Sequence, residues 1–246
     1  MSEESKNILN KLKELNKKKS LPIFLPSLNK KIKFLPFTLR QQKEILSKIP
    51  TDSSGLITFN NIFNNIISDN CEGDIDTKEL NLFDRIVIII SYRIQTIGAV
   101  LDKEEGKVNL NDLIKKVSSY DFSKILSEEK IELKDISAIL KIPSISYDEE
   151  INNQITKKIK KNATSQEIIS ELFTSEILKY IDKVTIEETT VDLRKMNYFD
   201  KLEIVEQLPG NFVKKIFKYI QDIKDVENEL TTIDGIKIDA SNELFS

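Results

Sequence analysis

The feature that most constrains the fold is an uninterrupted apolar run inside a helical pattern. Ile86 to Ile90 are all β-branched, and such residues favour strands. However, apolar residues recur at steps of four, three, four and three: Phe83, Val87, Ile90, Ile94 and Ile97. This is the spacing of one helix face, and Gly98 supplies a helix end. We therefore predict a helix that is buried on most sides and covered by the other elements.

A second stretch, from Leu25 to Leu46, predicts short extended segments that lead into a helix. Lysine and apolar residues alternate up to Phe34, as in a half-buried strand. Pro36 ends the strand because proline has no backbone N–H to donate. Thr38 and Gln41 have the spacing of a capping box, so we expect a helix to begin there.

Two sets of short motifs follow one another along the chain. The first is Pro26-Ser27, Lys31 to Phe34, Pro36-Phe37 and Gln42 to Leu46. The second is Cys71, Gly73 to Asp76, Leu82 to Asp84, Arg93 and Ile97-Gly98. In order and spacing both sets resemble the baseplate hub assembly proteins of T-even-type contractile-tailed phages. Leu35 departs from that family, which usually has arginine there. The resemblance covers residues 22–101 well and the rest loosely.

The resemblance implies a non-enzymatic protein that acts in assembly of the tail baseplate hub, as a structural component or as an assembly chaperone. Its partners would be other baseplate hub and tail proteins, with the tail tape measure complex as a further candidate. The chain would act in the host cytoplasm during assembly, and its retention in the virion baseplate is left open. Many family members carry cysteine pairs near the C-terminus; this chain has none, so no metal is carried over.

The lysine-rich stretch is the candidate partner-binding surface. Its predicted residues are Lys30, Lys31, Lys33, Phe34, Pro36, Phe37, Arg40 and Gln41. Residues 1–48 hold twelve Lys and Arg against four Asp and Glu, a charge of +8 that leaves −11 for the rest of a chain of net charge −3. Such a basic segment docks on an acidic protein or binds nucleic acid, which is the alternative function. A solvated charged face would explain the same residues equally well.

The composition argues against catalytic and metal chemistry. The chain has no histidine, which excludes histidine-based triads and metal sites. Cys71 is the single cysteine, so it can form neither an internal disulfide nor a thiolate zinc cluster. Asp74 and Asp76 lack the remaining ligands of an EF-hand and predict a cap and turn instead. We therefore predict no enzyme activity, no cofactor and no metal site.

The apolar run is far shorter than the roughly 20 residues of a membrane-spanning helix, and the start of the chain lacks the apolar core of a signal peptide. The pattern as a whole predicts an α+β protein, predominantly helical, with a small N-terminal β element and a second small β patch near the middle. For residues 106–145 we expect one or two hairpins, although 113–117 would also suit a helix.

We divide the chain into four segments. They are a basic amphipathic N-terminal helix or arm (1–20), a β-plus-helical region (21–101), a small β-containing region (102–147) and a C-terminal helical region that ends in a hairpin (148–246). Local patterns further predict a helix over residues 5–17, a loop over 52–55, a helix that starts at Ser175 and another that opens at Thr190.

Overall fold

The computed structural model describes residues 3–47, 53–159, 165–239 and 244–245. They belong to two compact units, Met1–Tyr120 with Thr232–Ser246 and Asp121–Thr231. Helices predominate and the strands pair antiparallel in small sheets, which confirms the predicted α+β class. The four-segment division of the chain stays a prediction. Among the described helices, none combines the length and hydropathy that crossing a membrane requires.

The helices are α1 (Glu3–Lys17), α2 (Leu39–Ser47), α3 (Ser53–Asn70), α4 (Leu82–Thr96), α5 (Leu110–Ser119), α6 (Ile145–Ile159), α7 (Ser165–Tyr180), α8 (Tyr198–Glu206) and α9 (Gly210–Thr231). The strands are β1 (Leu21–Leu25), β2 (Lys30–Phe34), β3 (Val100–Lys103), β4 (Gly106–Asn109), β5 (Glu129–Leu133), β6 (Ile136–Leu140), β7 (Ile181–Ile186), β8 (Thr189–Asp192), β9 (Thr232–Ile233) and β10 (Ile236–Lys237).

The first unit is centred on α4, the helix predicted from the apolar run. Every residue from Phe83 to Ile90 is buried, so the helix is enclosed on nearly all sides. Gly98 follows its end with φ +121°, a conformation that glycine adopts without strain. Ile97, the last residue of the predicted apolar face, instead lies beyond the helix and is exposed. Tertiary packing here overrides the strand preference of the β-branched residues.

The second unit contains a four-stranded antiparallel sheet in the order β5-β6-β7-β8. Its register places Ile131 opposite Ala138, and Ala138 opposite Val184. All three side chains are buried, so this face of the sheet contributes to the core of the unit. Since β5 and β6 lie within residues 106–145, the predicted hairpin there is confirmed, and α5 confirms the helical alternative for 113–117. β4 also lies in this range, but it pairs with β3, which precedes it.

The predicted loop over 52–55 is wrong where the structure describes it. Residues from Ser53 onward form the first turns of α3, which ends at Asn70. Asp52 lies outside the described residues. Serine and glycine are common at helix N-termini as well as in loops, so their composition did not distinguish the two.

Two predicted helix starts in the second unit are also wrong. α7 runs unbroken through Ser175, whose Oγ lies 3.0 Å from the Tyr198 hydroxyl. A serine inside a helix is tolerated when its hydroxyl has such a partner. Thr190 belongs to β8 and pairs with Thr185 of β7, so the helix that follows begins only at Tyr198.

Candidate partner-binding surface

The β1–β2 hairpin turns one face into the first unit. Ile23 lies opposite Ile32, and Leu21 lies opposite Phe34. Ile23, Ile32 and Phe34 are buried, and β1 packs against α4. The alternation predicted from the sequence is thus confirmed, and Phe34 is a core residue of the hairpin.

The other face of the hairpin is turned outward. Phe24 lies opposite Lys31 and Pro22 lies opposite Lys33. Both lysines and Pro22 are exposed, Phe24 is half-buried, and Lys30 is exposed at the turn end of β2. No ion pair with another described residue engages Lys30, Lys31 or Lys33. We call these five residues the hairpin surface; it combines uncompensated positive charge with an aromatic ring.

A buried carboxylate joins the hairpin to the core helix. Asp84 Oδ1 accepts a hydrogen bond from the Ser27 N–H at 2.9 Å, and Oδ2 accepts one from the Asn81 N–H at 2.9 Å. The Asn81 side chain in turn accepts from the first turn of α4, which completes a capping box. Burial raises the pKa of Asp84, although both of these hydrogen bonds act in the opposite direction. One side chain therefore fixes both the turn after β1 and the start of α4.

The end of α3 covers the free edge of β2. The Leu35 N–H donates to the Asn70 carbonyl at 2.7 Å, and the Glu72 N–H donates to the Lys33 carbonyl at 2.9 Å. Within the described residues, β1 pairs with β2 alone. The outer edge of β1, which includes Pro22, is therefore the side of the hairpin that lacks a strand partner there.

The predicted capping box at the start of α2 is confirmed. The Thr38 N–H donates to Gln41 Oε1 at 3.0 Å, and the Gln41 N–H donates to Thr38 Oγ1 at 3.3 Å. Gln41 Nε2 also donates to Asn70 Oδ1 at 2.9 Å. Gln41 is half-buried and its polar groups are occupied within the chain, whereas Arg40 beside it is exposed.

Phe37 belongs to an aromatic cluster inside the first unit. Its ring centroid lies 4.9 Å from that of Tyr92, 6.0 Å from Phe63 and 5.9 Å from Phe245. Contacts of this kind stabilise by about 0.5–1.5 kcal/mol beyond the area they bury. Pro36 is half-buried next to it.

The structure thus separates the eight predicted surface residues into two groups. Lys30, Lys31, Lys33 and Arg40 are exposed; Phe34, Pro36, Phe37 and Gln41 are buried or half-buried and support them. The binding role of the whole set stays a prediction. Sequence reasoning missed Pro22 and Phe24, which lie on the same face as the lysines. The strand-like alternation of Leu21 to Leu25, with the hairpin register, was the signal that could have found them.

Two other side chains of the first unit, Asp76 and Cys71, carry groups that could bind a metal ion or react. Asp76 caps a 3-10 helix by accepting from the Lys78 N–H at 3.0 Å, as the predicted cap and turn require. Burial raises the pKa of the half-buried Cys71 thiol, which disfavours the thiolate. Among the residues that the structure describes, no cluster of three or more His, Cys, Asp or Glu could hold a metal ion.

Comparison with known proteins gives the family that the chain resembles over most of its length. A family model described as T4 bacteriophage base plate protein matches residues 18–234. The match includes the whole β1–β2 hairpin, α4 and all of the second unit. No curated protein and no solved structure is significantly similar to the chain.

Proposed function

The chain belongs to the T4 bacteriophage base plate protein family, and we propose that within the baseplate it acts in assembly of the hub. It acts without catalysis, as a structural component or an assembly chaperone. Its partners are other baseplate hub and tail proteins, with the tail tape measure complex as a further candidate. Binding takes place in the host cytoplasm during assembly, and the chain is then retained in the tail baseplate or released.

The outward face of the hairpin is the observation that supports this proposal. Lys31 lies opposite Phe24 and Lys33 lies opposite Pro22, on a strand pair whose other face is buried against α4. Aromatic residues are enriched at protein interfaces, and charges around them steer association. Because Asp84 holds the turn of the hairpin, the surface is ordered before a partner arrives. A preordered surface binds with a smaller entropic cost.

Folding and binding are separable at this surface. Exposed charges away from buried features change stability by no more than about 0.5 kcal/mol. Interface charges instead change the association rate and its salt dependence. Substitution of the exposed lysines should therefore leave the fold intact and weaken partner binding.

The test is complementation of a phage that lacks this gene by the double variant Lys30→Glu, Lys31→Glu. We expect a marked loss of assembled tails, with an unchanged melting temperature for the purified chain. The matched control, Lys214→Glu with Lys218→Glu, makes the same change in net charge on exposed residues of α9 and should assemble tails normally. Normal assembly by the first variant would contradict the proposal, because the lysines would then only solvate the outer face of the hairpin.

Nucleic-acid binding is the second candidate function, favoured by the charge of +8 over residues 1–48. Affinity for duplex DNA, followed over a salt series, separates the two candidates. Binding through phosphate contacts falls linearly in a plot of log affinity against log salt concentration. A steep slope that becomes shallower in the Lys30→Glu, Lys31→Glu variant would favour nucleic acid. Absence of DNA binding, with loss of tails in the same variant, favours hub assembly.

A further inference from the structure

The first observation concerns α1, which has no buried residue. Its apolar residues form a stripe along one face, exposed by 57% at Ile8, 43% at Leu9, 50% at Leu12 and 52% at Leu15. Helices of about 12–15 residues are marginal in water by themselves, and they gain most of their stability by packing an apolar face. A stripe of this length on a helix of 15 residues therefore calls for a partner surface.

The second observation is an open groove in the second unit. It has a volume of about 410 Å³ and is lined by the apolar residues Ile136, Ile186, Met196, Ile204, Leu208 and Pro209. Ile186 on its floor is exposed by 48%. The groove thus offers an uncovered apolar floor between the β6–β7 strands and α8.

The rim of this groove is acidic. Asp200 and Glu203 line it directly. Asp135 and Glu187, which precede Ile136 and follow Ile186, are exposed, and the Glu187 N–H donates to the Asp135 carbonyl at 2.7 Å. Two basic residues adjoin the groove in sequence: Lys134 in the same turn, and Lys195, which precedes Met196 and pairs with Asp192 at 2.9 Å. Acidic residues therefore outnumber basic ones around the apolar floor.

We propose that the apolar stripe of α1 in one copy of the chain docks in the acidic-rimmed groove of a second copy. Lys11 and Lys13 lie on either side of the stripe at helical spacing, so they would face the carboxylates of the rim. An amphipathic helix in an apolar groove is a common recognition mode, and complementary charge fixes its register.

This arrangement is heterologous, because each copy contributes a different surface to the contact. A chain whose α1 is damaged keeps an intact groove, and a chain whose groove is damaged keeps an intact α1. The proposal therefore predicts complementation between two variants that each fail to self-associate. It goes beyond the proposed function and does not depend on the hairpin surface.

The test is sedimentation velocity of the full-length chain over a wide range of concentration. The wild type should self-associate, and Leu12→Glu or Ile186→Glu should each weaken association by more than about tenfold. Both replaced residues are exposed, so the fold should persist. An equimolar mixture of the two variants should form one-to-one dimers. Ile169→Glu, at a residue of α7 that is 66% exposed and does not line the groove, should associate like the wild type.

Three results would overturn the proposal. A wild-type chain that stays monomeric at every concentration has no such contact. Continued self-association of the Ile186→Glu chain would show that the groove is not the docking site. A mixture of the two variants that remains monomeric would show that α1 and the groove do not bind each other.

Discussion

Two helices of the first unit have the same length and opposite surroundings. α1 and α4 each span 15 residues, yet ten residues of α4 are buried and none of α1 is. α4 is apolar over most of its circumference, whereas α1 carries a narrow stripe flanked by lysines. The difference shows that an amphipathic pattern predicts a helix equally well in both cases, but only the width of the apolar face predicts burial.

The comparison of α1 with α4 also separates a helix that determines stability from a helix that is available for binding. α4 holds the hairpin through Asp84 and the buried face of β1, so it positions the hairpin surface. α1 lies before the hairpin and adds exposed positive charge beside it in sequence. Substitutions in α4 should therefore change the free energy of unfolding, and substitutions in α1 should change association.

The largest effect is expected at the centre of α4. Ile90 is fully buried, so Ile90→Ala removes packed methyl and methylene groups and leaves a cavity. Such a change costs about 2–5 kcal/mol in the free energy of unfolding. Urea denaturation of the purified variant measures it. An unfolding midpoint equal to that of the wild type would contradict the assignment of α4 to the core.

An effect of similar size is expected at the carboxylate that joins hairpin and helix. Asp84→Ala leaves two backbone N–H groups without their acceptor, and each such loss costs about 1–3 kcal/mol when buried. Asp76→Ala is the matched control, because Asp76 caps an exposed 3-10 helix. Denaturation should rank Asp84→Ala as clearly more destabilising. Equal losses would show that burial does not strengthen the Asp84 contacts.

The pH dependence of stability provides a third test at Asp84. Its pKa is raised in the folded chain, so the folded state holds this proton to a higher pH than the unfolded state does. The contribution to stability is complete below the ordinary aspartate pKa of about 3.9 and is lost as pH rises through the folded pKa. The stability of the wild type relative to Asp84→Asn should therefore decline as pH rises from about 4. A constant difference over that range would refute the raised pKa.

The smallest effect is expected in α1. Leu12→Ala keeps a good helix former and removes a side chain that is half exposed. The free energy of unfolding of the dilute chain should change by no more than about 0.5 kcal/mol. A loss as large as that of Ile90→Ala would mean that α1 packs into the folded unit and that the contrast between the two helices is false.

Local sequence patterns were sufficient to predict α4, β2 and the capping box of α2. In each case the deciding residues are close in sequence: the steps from Phe83 to Ile94, the alternation up to Phe34, and the pair Thr38 and Gln41. The hairpin predicted at the end of the chain forms as β9 and β10, although α9 continues to Thr231.

The predictions that failed, and the strand that was not predicted, depend on residues that are distant in sequence. Phe37 was predicted to face a partner, yet its ring packs beside Phe63, Tyr92 and Phe245. No short window contains that cluster. β7 was missed because it begins at Ile181, directly after α7, and its alternation becomes evident only through its pairing with β6.

Hydrogen exchange is the most direct test of the hairpin surface as the binding site. The chain is compared alone and in complex with the hub proteins that co-purify with it from infected cells. We expect exchange to slow in residues 21–34 of the complex, while α4 is already slow in both samples because it is buried. Slowing confined to the second unit, with residues 21–34 unchanged, would contradict the assignment of hub binding to this surface.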